Sequence, residues 1–160
     1  DPEITRGIRE TIVEEPEVYG AFDLLLHNYG PETLVGSVQI EVADYMTANK
    51  IDELTRRIQQ KVFDKHGIIM EGIGIYSYNT TDSNVNEIRH KILEILNAER
   101  NVMQMHGFYV DKENKTIRFD LVISFDEDDR DALCERVRAR IKRKIPDYEI
   151  CITKDFDISD

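Results

Sequence analysis

The chain has 160 residues and a formal net charge of −11. It is long enough to close a core without a metal or disulfide staple, and it lacks the cationic excess that phosphate neutralisation on nucleic acid requires. No apolar run approaches the ~20 residues of a membrane span. Cys134 and Cys151 form no CxxC pair and read as reduced thiols pointing into a core.

The chain opens on Asp1-Pro2, as a piece of a longer protein would, and enters a predicted helix over Glu3 to Glu15. Ile4, Ile8, Ile12 and Val13 fall at helical spacing and Pro16 stops it. A hairpin follows. Its first strand alternates, with Val18, Gly20, Phe22, Leu24 and Leu26 on one face and Tyr19, Ala21, Asp23, Leu25 and His27 on the other. Asn28 to Glu32 turns the chain, and Thr33 to Val42 returns with Gly36, Val38, Ile40 and Val42 on the apolar side. Met46 to Lys65 is a second predicted helix, capped by Asp44 or Thr47, with an apolar stripe of Ile51, Leu54, Ile58 and Val62. Ile68 to Tyr78 is a third strand.

Asn79 to Asn84 is polar and turn-rich, and it sets the expected boundary between residues 1–81 and 82–160. Beyond it come a helix to about Ala98, a strand from Val102 to Val110, a turn at Asp111 to Lys115 and an alternating strand from Thr116 to Phe125. A helix carrying Leu133, Val137 and Ile141 ends before Pro146, and Glu149 to Thr153 is a last strand before an acidic tail. The order is αββαβ twice. Laying one half on the other places Val18 on Val102, Phe22 on His106, Ile40 on Ile123 and Leu54 on Val137, the mark of an internal duplication. The expected fold is α+β: two tandem ferredoxin-like units, each a three-stranded sheet with two helices on one face.

The run E-E-P-E-V-Y-G-A-F-D-L, followed by H-N-Y-G, resembles the cytoplasmic C-terminal domain of cation diffusion facilitator transporters. Pro16, Val18, Gly20, Asp23, Leu24 and Gly30 carry the likeness, which covers residues 3–79; the second half looks like a degenerate copy. The resemblance implies a non-enzymatic regulatory and dimerising module at the cytoplasmic face of a membrane. It would be covalently attached to a transmembrane domain that exchanges protons for divalent cations such as zinc or manganese, and that domain is absent from this chain. Homodimer contacts would draw on Leu25, Tyr76 and Tyr78.

The family's cytoplasmic metal positions correspond here to Phe22, Gln39, Ile51 and the pair Tyr76 and Tyr78. None is a first-choice zinc ligand. The resemblance therefore implies that the usual site is lost, that no cofactor is held and that the dimer is metal-independent. In the second copy His106 falls at the first position, with Val122 and Thr153 at others.

Some side chains still invite a cation of the zinc or manganese class. Asp23 and His27, four apart on one strand, could meet Glu41 and Gln39 on the next; a solvated strand face is the first reading of that set. His106 reads first as a half-buried structural histidine and second as a ligand. The run Arg136, Arg138, Arg140, Lys142, Arg143, Lys144 reads first as a solvated face favoured by the helix C-terminus. Its second reading is contact with an anionic membrane surface. Asp126 to Asp129 lacks the glycine and distal glutamate of an EF-hand, and Gly72-Ile73-Gly74 opens no helix and is no nucleotide loop. The alternative function is an ACT-like module sensing a small molecule between paired units.

Overall fold

The computed structural model describes residues 1–156. It contains two αββαβ units, divided between Thr80 and Thr81. In the first unit, α1 (Pro2–Val13) starts where the Asp1 carboxylate accepts from the Glu3 N–H. β1 (Gly20–Asn28) and β2 (Leu34–Ala43) form an antiparallel hairpin. The chain then crosses through α2 (Ala48–His66) to β3 (Ile69–Tyr78), which lies parallel to β2 in the order β1-β2-β3. Thr47, one of the two caps expected, accepts from the Lys50 N–H. Ile8, Ile12, Leu54, Ile58 and Val62 pack against Leu24, Val38 and Ile40, which closes the core between the helices and one sheet face. Glu15 joins the end of α1 to α2 by accepting from Arg57 and Lys61.

The second unit repeats this plan with α3 (Ser83–Asn97), β4 (Val102–Asp111), β5 (Thr116–Ile123), α4 (Arg130–Lys144) and β6 (Glu149–Phe156), and its sheet order is β4-β5-β6. Asp82 caps α3, accepting from the Asn84 and Val85 N–H groups. The core combines Ile88, Ile92, Leu133, Val137 and Ile141 with Ile117, Phe119 and Leu121. No helix among the described residues is long and apolar enough to cross a membrane.

Both hairpins depart from simple alternation, at equivalent places. In β1 the register shifts between Phe22 and Leu25, and Asp23 has φ 54°. In β4 it shifts between His106 and Tyr109, and Gly107 has φ 65°. An extra residue in a strand reverses which side chains face the core. In the first unit, therefore, Ala21 points inward opposite Ile40, while Gly20 and Phe22 turn to the other face opposite Glu41 and Gln39. Of the expected apolar face, Val18, Leu24 and Leu26 keep to the core, whereas Gly20 and Phe22 do not.

Further corrections follow from strand ends and phase. β5 stops at Ile123, leaving Phe125 exposed. β6 runs three residues past Thr153, so Asp155 belongs to the sheet and not to a tail; Asp157 and Asp160 lie outside the described residues. Cys134 sits in the second core as expected, and burial pushes its thiol pKa up. Cys151 does not. It alternates with Ile150 and Ile152 and is only half-buried, beside Arg118 on the neighbouring strand.

Candidate metal centre

The sheet face turned away from α3 and α4 carries an imidazole between two carboxylates. Met105 and Leu121 are strand partners facing the core, so their neighbours His106 and Asp120, also partners, face the opposite way. On β6, Thr153 lies beside Asp120 and Asp155 beside Val122, which brings Asp155 to that same face. His106 Nε2 stands 3.4 Å from Asp120 Oδ2 and 3.3 Å from Asp155 Oδ2. His106 is 4% exposed, and the two aspartates are largely covered.

Two anionic oxygens converging on one ring nitrogen require something positive between them, because a bare nitrogen lone pair would repel both. A proton on Nε2 meets that need, and so does a cation. With metal–ligand bonds of about 2.0–2.2 Å, the edge of a tetrahedral site spans roughly 3.3–3.6 Å, and the two separations from His106 Nε2 to the carboxylates fall in that range. One neutral imidazole with two carboxylates also balances the charge of a dication and leaves a coordination position open, the donor set of a zinc- or manganese-class ion.

The equivalent face of the first unit is filled differently. There Phe22 opposes Gln39, Gln39 lies beside Gly74, and Glu41 lies beside Tyr76. A Cβ on Gly20 would fall 2.5 Å from the Phe22 ring, and one on Gly74 would collide with the Gln39 amide. The ring and the amide thus lie flat on the sheet over two residues that lack side chains. Matching the ladders places His106 on Phe22, Asp120 on Gln39 and Asp155 on Tyr76. Val122 and Thr153 fall instead on Glu41 and Gly74. Alignment by sequence misses this because the second hairpin is shorter and β6 joins its sheet in a different frame.

The other expected residues are spread across the first unit. Tyr76 Oη donates to Asp23 Oδ2 at 3.4 Å. Glu41 is buried, with 9% exposure. His27 lies beyond the bulge, is exposed, and makes no ion pair or side-chain hydrogen bond among the described residues. Ile51 is half-exposed on α2. Leu25 is exposed, whereas Tyr78 packs edge-on against Tyr19 with centroids 5.1 Å apart. Asp120 and Asp155 escaped sequence reasoning. The available signal was hairpin arithmetic about the turn at Asp111 to Lys115, and the bulge at Gly107 hid it.

No family model matches the chain, and no curated protein matches it. Among solved structures the chain is similar to a metal-bound C-terminal domain of the CzcD transporter from Thermotoga maritima, at 17% identity over 50% of this chain and 93% of that one, with a TM-score of 0.45. It is also similar to a copper form of the MamM CTD, at 19% identity over 49% of this chain and 74% of that one, TM-score 0.41. A substituted MamM CTD is similar at 19% identity over 49% of this chain and 90% of that one, TM-score 0.41.

Proposed function

We propose that the chain is the cytoplasmic regulatory and dimerisation domain of a proton-coupled divalent-cation efflux transporter, of the cation diffusion facilitator kind, and that its second unit holds the cation-responsive site. One observation carries the reading: the carboxylates of Asp120 and Asp155 converge on Nε2 of a buried histidine. The run from Pro16 to Gly30 and the doubled αββαβ order support it.

On this reading the two copies have divided their work. Phe22 and Gln39 occupy the first unit's face with a ring and an amide, so that unit serves as a constitutive scaffold for the homodimer. His106, Asp120 and Asp155 hold the cation in the second, each giving one donor atom. A dication there neutralises two carboxylates and ties three adjacent strands of one sheet. It shifts the dimer's arrangement only as far as it binds one arrangement better than another. The domain performs no covalent chemistry. It reports cytoplasmic cation to the membrane domain to which it is joined.

The test is calorimetric titration of the chelator-treated chain with zinc and with manganese, alongside light scattering for mass. The expected result is one cation bound per chain and a dimer before and after. At a hundredfold excess over Kd the second unit should melt at least about 5 °C higher. His106→Ala should abolish binding without changing the mass. Binding that survives His106→Ala, or no binding by the native chain, would overturn the assignment.

A further inference from the structure

We propose that a cationic cleft at the C-terminal end of α4 binds the phosphate of an anionic phospholipid headgroup, an inference that rests on the membrane attachment proposed above. The six cations on that part of α4 are not equivalent. Arg136 donates twice to Glu99, at 2.9 Å each. Arg138 donates to the Ile150 carbonyl and pairs with Glu135. Lys142 donates to the Pro146 and Tyr148 carbonyls, both at 2.8 Å. Arg140 reaches Glu99 only at 3.7 Å. Arg143 and Lys144 are exposed and make no ion pair or side-chain hydrogen bond among the described residues.

The weakly engaged Arg140 and the two unengaged cations line one cleft of about 270 Å³, with Ile95 and Glu94 on the α3 side. The helix C-terminus favours positive charge, but Lys142 already satisfies carbonyls just beyond it. Three further cations crowded together repel one another, and in a chain of net charge −11 such a cluster suits an anion from outside. Two guanidinium forks match phosphate oxygens in a way a point charge does not. Buried Ile95 supplies an apolar floor, while Glu94, held by His90 at 3.1 Å, sets an anionic rim that disfavours a polyanion. A phosphodiester with a small polyol fits these walls, whereas a nucleic-acid backbone, with charge at every step, does not.

Cosedimentation of the 160-residue chain with vesicles tests the proposal, comparing neutral phosphatidylcholine with mixtures containing phosphatidylglycerol. The chain should partition onto the anionic vesicles at low salt and leave them at high salt. The double variant Arg143→Gln/Lys144→Gln should lose about tenfold or more in partition, each charge near such a surface being worth roughly fivefold. A control, Lys50→Gln/Arg56→Gln, removes the same charge from α2 and should lose far less. Circular dichroism melts establish that all variants fold. Equal loss in both variants, or no preference for anionic vesicles, would overturn the proposal. So would inorganic phosphate shifting the amide resonances of Arg143 and Lys144 in a chain that ignores vesicles. None of these outcomes bears on cation binding at His106, so the two assignments stand or fall separately.

Discussion

The difference between the two sheet faces comes down to a few side chains. In the first unit Gln39 lies across Gly74 so closely that no Cβ fits beneath it. Substituting Gly74→Ala should therefore push the amide off the strand. Gln39 is flexible, so the cost is modest, about 1 kcal/mol, and it opposes the 0.4–1 kcal/mol that replacing glycine gains through the unfolded chain. With Gln39→Ser in place the obstacle is gone, and Gly74→Ala should become neutral or stabilising. Urea unfolding of the four proteins closes a double-mutant cycle with a coupling of roughly 0.5–1 kcal/mol. Additive effects would mean that Gln39 does not rest there. In the second unit Thr153 stands at the position of Gly74, so no amide can lie flat across it, and the partner strand carries Asp120 instead.

The elements themselves were largely legible in the residues. Leu54, Ile58 and Val62, or Leu133, Val137 and Ile141, repeat at helical spacing, and each set is buried against its own sheet. The candidate site was not legible, because β6 runs past Thr153 and carries Asp155 into the sheet, and because a bulge re-aims His106. Val110 opposes Ile117, and an unbroken ladder from that pair would set His106 opposite Leu121, on the core face. The extra residue at Gly107 moves its partner to Asp120 and its side chain to the other face. Alternation cannot announce a bulge, because the inserted residue leaves the composition of the strand unchanged. How α4 is fastened to the end of α3 yields a test at the same scale. Arg136 hydrogen-bonds hold the Glu99 carboxyl below the usual carboxylate range, against the opposing effect of burial. A lowered carboxyl stabilises the fold above its ordinary pKa and loses that contribution as pH falls toward the folded value. Arg136→Gln should cost about 1 kcal/mol at neutral pH, held to that by the half-exposed guanidinium. The gap between variant and native should close below about pH 4. Melting temperatures measured from pH 7 to 3 check this, and a gap that stays constant would exclude the ion pair as its source.

At the scale of the molecule, the two cores share no residue. Ile8, Ile12, Leu54 and Ile58 close one, and Ile92, Phe119, Leu133 and Val137 close the other. Every strand ladder and each crossover helix also stays within its own unit. Each half therefore has the parts of an independent folding unit, near the size at which a single core suffices unaided. We expect residues 1–80 and 81–160, produced separately, each to melt cooperatively with mixed α and β circular dichroism. The intact chain's heat-absorption curve should then resolve into two transitions, of which zinc or manganese raises only the one belonging to the fragment with His106. That assignment can be made with the fragments alone, by adding each cation to each in turn. A fragment 81–160 that fails to fold would mean that its stability depends on the first unit, and the division of work between the copies would have to be abandoned. A response in fragment 1–80 instead would return the search to Asp23, His27 and Glu41. If only fragment 81–160 responds, one αββαβ unit answers the ion and the other does not, as the proposed division of work requires.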